Sequence, residues 1–442
     1  MATQQRTDCE GFYRRDFLKI GAAGMFGLSL PELLKLEAQA KATGANKKAR
    51  AQSVILVWLA GGPATIDMWD LKPEAPEGIR GDFKPIATKA PGVMISEHLP
   101  KMAAVANKAT FVRSLYHTIP SHGPATVFMT TGNKPTPALQ YPALGSLASK
   151  LLPTELGVPP YVVFGNLRGG AAGNAGYLGT GYNPFGVEGS PGRGNNSMRV
   201  RGISLPNGFS LEELENRDKL LRGFDQKFQK LDESADIVDG LDSFHKQALE
   251  ILRSDKTRKA FDLDAEPASV RERYGSSSFG QGALAARRLT EAGVRFVTIT
   301  LGGWDTHSNN FQSLKTRLLP QVDQTLSALI GDLAERGQLD RTIVYCAGEF
   351  GRTPKVNTKS GRDHWARSMA AVVAGGGFKP GYAHGTTDSS GMAPALDPCT
   401  PDDLSATLFH CLGIDYQLEL NTPTGRPIQL FREGKVHDKL LA

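Results

Sequence analysis

Two short polar clusters in this 442-residue chain carry the side chains best suited to chemistry. The first is Gly302-Gly303-Trp304-Asp305-Thr306-His307. The second is Gly348-Glu349-Phe350-Gly351-Arg352, followed after a short loop by Arg362-Asp363-His364-Trp365. Asp305 and His307 stand one residue apart, so both can enter one site from a single loop. Glu349, Asp363 and His364 add two carboxylates and an imidazole. Asp, Glu and His are the side chains that hold zinc, manganese and related divalent cations. Trp304 and Trp365 flank the clusters and can give such ligands an apolar surround. The competing use of the same residues is ordinary: Asp caps helices, and a His beside a Trp can simply pack.

Both clusters follow apolar runs. Residues 295–301, with Phe296, Val297, Ile299 and Leu301, read as a buried strand, and residues 342–347 read as another. Between them Val322, Leu326, Leu329, Ile330 and Leu333 recur at helical spacing. The unit is strand, polar loop, helix, strand, polar loop. In open α/β sheets, ligands bind where loops leave the carboxyl ends of strands.

Other segments repeat the pattern. Residues 54–59 form an apolar run ended by Gly61-Gly62-Pro63, and the loop beyond carries Asp67 and Asp70. A strand over 111–115 leads to His117, Ser121 and His122, a third polar cluster at a strand end. Further strands are expected at 161–164 and 369–374. Helices are expected over 99–106, 144–152, 279–292 and 401–412, and residues 71–95 read as irregular. Eleven glycines fall between Gly165 and Gly194. That tract, 165–200, is too long for a plain connection and reads as a lid or rim over a site. No GxGxxG here follows a strand and opens a helix, so it is not read as a dinucleotide site. Residues 209–260 read as a charge-rich helical insertion.

The leader is specific. Arg14 and Arg15 stand in Tyr13-Arg14-Arg15-Asp16-Phe17-Leu18-Lys19, before an apolar segment too short to span a bilayer. Ala38-Gln39-Ala40 then offers a cleavage site. This predicts a twin-arginine signal peptide over 1–40, engagement of the twin-arginine translocase and release into the periplasm or cell envelope. A linker over 41–52 and one domain over 53–435 follow. No later segment reaches membrane-spanning length. The composition is globular, 40% hydrophobic and 22% charged, with a net charge of +6. The basic residues are scattered and lack an aromatic-interleaved stripe, which argues against nucleic acid and leaves room for an anionic ligand. Cys346 reads as a core residue. Cys399 and Cys411 can bridge in an oxidising compartment or stay free.

Taken together these motifs resemble the exported family called domain of unknown function 1501. The residues that carry the resemblance are the twin-arginine leader, the Gly-Gly-Pro before Asp67, Ser121-His122-Gly123, the run from Ala286 to His307, Gly348 to Pro354, Asp363-His364-Trp365 and Gly425-Arg426-Pro427. That family is similar in fold to the alkaline phosphatase and sulfatase superfamily. The resemblance implies a three-layer α/β sandwich, a mostly parallel sheet between helices, with divalent metal (zinc, manganese or calcium) at the strand ends. It implies metal ligands among Asp67, Asp305, His307, Glu349, Asp363 and His364. His364 takes the place of a late His ligand, or Asp363 and His364 together are a displaced pair. The nucleophile position falls on His122 with Ser121 beside it, and His122 can equally be a ligand. Arg352, Arg362 or Lys134 would hold an anionic group. The implied activity is metal-dependent hydrolysis of a phosphate or sulfate ester, on an anionic small molecule or polysaccharide. The alternative is a non-catalytic metal protein that binds an anionic polysaccharide or an envelope partner.

Overall fold

A computed structural model describes residues 49–165, 173–187, 250–251 and 254–442. The expected signal peptide, the linker up to residue 48, and the parts of the glycine-rich and helical insertions at 166–172, 188–249 and 252–253 lie outside the described residues.

The central sheet has eight strands. In chain order the ones that matter are β1 (Ser53–Ala60), β2 (Ala109–Leu115), β3 (Tyr161–Phe164), β4 (Phe185–Val187), β5 (Phe296–Gly302), β6 (Thr342–Ala347), β7 (Gly351–Arg352), β8 (His364–Trp365), β9 (Met369–Ala374) and β10 (Tyr382–His384). β7 and β8 form a separate two-stranded ribbon. The order across the main sheet is β10-β2-β9-β6-β1-β5-β3-β4. β1 pairs in parallel with β5 and β6, β3 with β5 and β4, and β10 with β2. β9 runs antiparallel to both of its neighbours. Seven strands therefore share one direction.

The principal helices are α1 (Pro100–Val105), α2 (His122–Thr131), α3 (Leu144–Leu151), α4 (Ser278–Glu291), α5 (Leu319–Glu335) and α6 (Pro401–Cys411). β1 shows why the sheet is sandwiched. Every residue of it is buried. Ile55, Val57 and Leu59 pack on the face covered by α1, α4 and α5, whereas Val54, Leu56, Trp58 and Ala60 pack with α3 and α6. The period-2 pleat thus feeds two cores, as a fully covered parallel strand must. α6 is started by a capping box: Thr400 Oγ accepts from Asp403 N, and Asp403 Oδ2 accepts from Thr400 N at 3.1 Å.

The glycine-rich tract behaves differently from a plain loop where it is described. Phe185–Val187 joins the sheet as its edge strand, parallel to β3. Residues 71–95, expected to be irregular, contain a small antiparallel pair, Pro85–Ala87 with Met94–Ser96. Cys346, Cys399 and Cys411 are all buried and all free. No helix among the described residues is long and apolar enough to cross a membrane.

Register sets the level of the loops. Ala60 lies opposite Gly302, and Trp58 lies opposite Ala347. The loops after β1, β5 and β6 therefore leave the sheet from one edge, joined there by the loop after β2 and by the segment entering the reversed β9.

Candidate metal centre

Four loops build the site from that edge. Ser121, in extended conformation, ends the loop after β2, and His122 opens α2. Asp305 and His307 follow β5, Glu349 follows β6, and His364 lies in β8 just before β9. Gly61 makes the close approach possible. It sits at φ 122°, and a Cβ there would lie 2.5 Å from the Asp305 backbone nitrogen. Its own N–H donates to both oxygens of Glu349, at 2.9 and 3.1 Å.

Each of three imidazoles is anchored through Nδ1. His122 Nδ1 meets Glu349 Oε1 at 2.6 Å, His307 Nδ1 meets Asp363 Oδ1 at 2.6 Å, and His364 Nδ1 meets the Pro120 carbonyl at 2.9 Å. A carboxylate or a carbonyl only accepts, so the proton in each pair belongs to Nδ1, and a neutral ring then carries a lone pair on Nε2. Those three Nε2 atoms converge on Asp305. His307 Nε2 is 3.1 Å and His364 Nε2 3.3 Å from Oδ1, and His122 Nε2 is 3.3 Å from Oδ2. The His307 and His364 Nε2 atoms stand 3.0 Å apart. His122 Nε2 is buried and has no hydrogen-bond partner. His122, Asp305 and His364 each offer a ligand atom within 4.8 Å of the others, the one such group among the described residues.

Facing lone pairs at this spacing repel unless a proton or a cation lies between them. The donor set fits a cation. Ligands about 2.0–2.1 Å from a tetrahedral zinc lie about 3.3 Å from one another, close to the separation of each Nε2 from Asp305; the mutually close group is His122, Asp305 and His364, with His307 beside it. Three imidazoles and one carboxylate are also donors that zinc and manganese accept.

The electrostatics keep the site charged. Burial pushes the Asp305 carboxyl up, but the Arg352 hydrogen bond and charge outweigh it and hold the group well below the usual carboxylate range. Arg352 Nη2 donates to Asp305 Oδ1 at 2.6 Å. Burial lowers His364 below the ordinary imidazole value, which favours its neutral form.

The remaining sequence candidates sit around the cluster in other roles. Asp67 is buried and receives Arg362 bidentately, Nε to Oδ2 at 2.8 Å and Nη2 to Oδ1 at 2.7 Å, with Asn310 Nδ2 on Oδ2 at 2.9 Å. Its oxygens are thus committed, and the structure does not bring it into the cluster. Glu349 and Asp363 touch the imidazoles through Nδ1, on the side away from the converging lone pairs. Arg352 also donates to the backbone carbonyls of Gly62 at 2.7 Å, Arg362 at 3.1 Å, Trp304 at 3.2 Å and Gly61. With Asp305 these partners occupy its guanidinium, so it orients the loops and is not free to clamp a substrate. Arg362 is engaged as described, and Lys134 pairs with Glu433 at 2.7 Å.

His117 is buried and neutral. Burial drives its pKa down to about 4; Nε2 donates to the Glu349 carbonyl at 2.7 Å and Nδ1 accepts from Ile119 N at 3.1 Å. It ties the loop after β2 to the loop after β6. Ser121 is exposed, and its side chain makes no capping bond. Trp304 is fully buried behind Asp305, and Trp365 donates Nε1 to the Met392 carbonyl at 2.8 Å. Sequence reasoning missed Asn310, Thr306 and the Pro120 carbonyl. Thr306 Oγ1 bonds Asn310 Oδ1 at 2.7 Å and completes the network on Asp67. No local signal marks an Asn at the start of a short helix as the partner of a distant aspartate.

The model of a family described as "Protein of unknown function (DUF1501)" matches residues 51–441. No curated protein matches the sequence. Among solved structures, the PsFucS1 sulfatase from Pseudoalteromonas sp. is similar at 13% identity, with 94% of this chain and 77% of that chain covered and a TM-score of 0.40. The lipoteichoic acid synthase LtaP from Listeria monocytogenes is similar at 10% identity, with 92% and 81% covered and a TM-score of 0.38. TAB5 alkaline phosphatase is similar at 10% identity, with 84% and 100% covered and a TM-score of 0.34.

Proposed function

The chain belongs to the DUF1501 family, and for it we propose a metal-dependent hydrolysis of phosphate or sulfate esters at the edge where β1, β5 and β6 end. One observation carries the reading: three Nδ1-anchored imidazoles turn their Nε2 lone pairs onto a carboxylate held ionised by Arg352. His122, Asp305 and His364 would hold the cation, with His307 beside them as a further donor. An imidazole-rich set favours zinc or manganese over calcium, which prefers oxygen donors. A bound divalent cation supplies Lewis-acid polarisation of an ester oxygen and neutralises charge on the leaving group.

The chain's own residues do the rest. Glu349, Asp363 and the Pro120 carbonyl hold the three Nδ1 protons and so fix each ring's orientation. Ser121 places its hydroxyl, exposed, at the amino end of α2, where the helix dipole favours the ionised oxygen. It is the group proposed to attack the phosphorus or sulfur centre: the bond from Oγ forms as the bond to the leaving oxygen breaks, the hydroxyl proton passes to solvent, the leaving oxygen takes a proton from solvent, and water then cleaves the seryl ester to free the serine and inorganic phosphate or sulfate. His122 is excluded from that role in this reading, because Nδ1 is spent on Glu349 and Nε2 faces Asp305. Arg352 and Arg362 are buried against carboxylates and Lys134 pairs with Glu433 at the surface, so the chain's own complement to the ester's negative charge is the amino end of α2.

The export reading rests on Arg14 and Arg15, and blocked secretion of an Arg14→Lys, Arg15→Lys variant tests it. For the chemistry, purified protein is assayed on aryl phosphate and aryl sulfate esters with zinc or manganese supplied. Turnover should require the added metal and vanish in Asp305→Ala. Ser121→Ala should keep the metal and lose turnover. A metal-replete protein that hydrolyses neither ester overturns the proposal and favours the non-catalytic metal protein.

A further inference from the structure

A second concave site shares the loops that carry the metal cluster. It is a cavity of about 400 Å³, in the range of small-molecule pockets. Its apolar wall is Phe83 and Phe311, edge-on to each other with centroids 5.6 Å apart, and His98 stands edge-on to Phe83 at 4.5 Å. Gly81 puts this wall in place. At φ 72° it packs so closely that a Cβ would lie 2.6 Å from Asp67 Oδ1 and 3.0 Å from Phe311. Residues 82 and 83 are thereby set against the Asp67–Arg362 pair.

The polar wall combines the carboxylates of Asp82 and Glu97, the amides of Asn309 and Gln312, and the ammonium of Lys315. Two of the three non-glycine residues with positive φ among those described, Asn309 (50°) and Ser360 (51°), line the cavity. Such backbone is costly for residues with a side chain and persists where the surroundings impose it. Here Asn309 N bonds the Lys359 carbonyl at 3.0 Å and Asn310 N bonds that of Ser360 at 2.9 Å. The same pair of loops holds the metal cluster: Asn357 Nδ2 donates to the His307 carbonyl at 3.0 Å and to Asp363 Oδ1 at 3.3 Å.

The chemistry of the walls selects a ligand class. Carboxylates accept, an ammonium donates and amides do both, which together match hydroxyl groups that donate and accept. Carboxylates outnumber the single ammonium, so an anion is disfavoured. Phe83 and Phe311 are each 9% exposed, so the apolar surface they leave to a ligand's C–H groups is narrow and the polar wall dominates recognition. We propose that this cavity is a subsite for a neutral, hydroxyl-rich ring, a glycosyl unit, and that the ester is borne by a glycan whose uncharged sugar rests here. This rests on the ester-hydrolase reading for its role, but binding itself does not require the metal.

The test uses the full-length mature protein and three uncharged probes: cellotetraose, xylotetraose and mannotetraose. Binding is followed by calorimetry and ligand-observed NMR, with metal content measured on the same preparations. The wild type should bind at least one probe with a millimolar or tighter Kd. An Asp82→Ala, Gln312→Ala variant loses two exposed hydrogen-bonding groups and should bind about tenfold or more weakly at an unchanged melting temperature. A His307→Ala variant should lose metal and bind the sugar as wild type does. Sugar binding that depends on the pocket in a metal-free wild type supports the subsite and counts against the metal reading alone. No binding of any probe by the wild type, or equal binding by the double variant, overturns the subsite.

Discussion

Two carboxylates at the same sheet edge, Asp67 and Asp305, have opposite fates. Asp67 is 1% exposed and closed: Arg362 takes both oxygens, and Asn310 adds a third bond. Asp305 is one-third exposed and shared: Arg352 donates to Oδ1, the Nε2 atoms of His307 and His364 also face Oδ1, and that of His122 faces Oδ2. The first arrangement is complete as it stands. The second is coherent only with a cation or extra protons. Residue type does not separate a pin from a ligand; the partner on the far side of each group does.

The largest effect should come from breaking the closed pair. Arg362→Met leaves a buried carboxylate unpaired, a change that costs about 3–5 kcal/mol. His307→Ala removes a side chain that is 45% exposed, and in metal-free protein it should cost about 1 kcal/mol or less. Thermal melts of the two metal-free variants check the contrast. Equal losses would erase the distinction between pin and ligand.

A third kind of histidine sharpens it. His384 is buried with neither ring nitrogen partnered, and burial lowers its pKa from 6.5 to about 4. The unfolded chain binds the proton first, so this group's contribution is full above pH 6.5 and is lost as pH falls towards 4. The loss is at most about 3 kcal/mol, and His117, also near 4, adds in the same sense. Denaturant midpoints at pH 7 and pH 4.5 should differ less in His384→Met than in wild type. An unchanged difference would show that His384 does not titrate as its burial requires.

A smaller effect belongs to the groups that orient the ligands. Glu349→Gln replaces the carboxylate on His122 Nδ1 by a weaker acceptor and should lower metal affinity about 10–100-fold. Competition with a chromophoric chelator measures it. An unchanged affinity would make Glu349 a structural bond only, like the link from His117 to the Glu349 carbonyl.

Much of this was legible in the chain. The runs at 54–59, 295–301 and 342–347 announced buried strands, and the rule that ligands gather at their carboxyl ends drew Asp305, His307 and His364 to one edge. Three things were not legible. The direction of β9 was hidden, because Met369–Ala374 is buried on both faces and its apolar run reads alike in either sense. The separate roles of Asp67, Glu349 and Asp363 were hidden, because each depends on a partner 56 or more residues away. His122 stood at the expected nucleophile position and could equally be a ligand, and the contacts of its ring, Nδ1 on Glu349 and Nε2 towards Asp305, depend on residues far along the chain.

The central claim is that the Nε2 atoms of His122, His307 and His364 and the carboxylate of Asp305 form a cation site. Metal analysis of the purified wild type, set against an Asp305→Ala, His307→Ala variant of matched fold by circular dichroism, tests it most directly. Zinc or manganese should be bound in the wild type and lost from the double variant. Equal metal in both folded proteins, or none in a wild type offered zinc and manganese in turn, would contradict it.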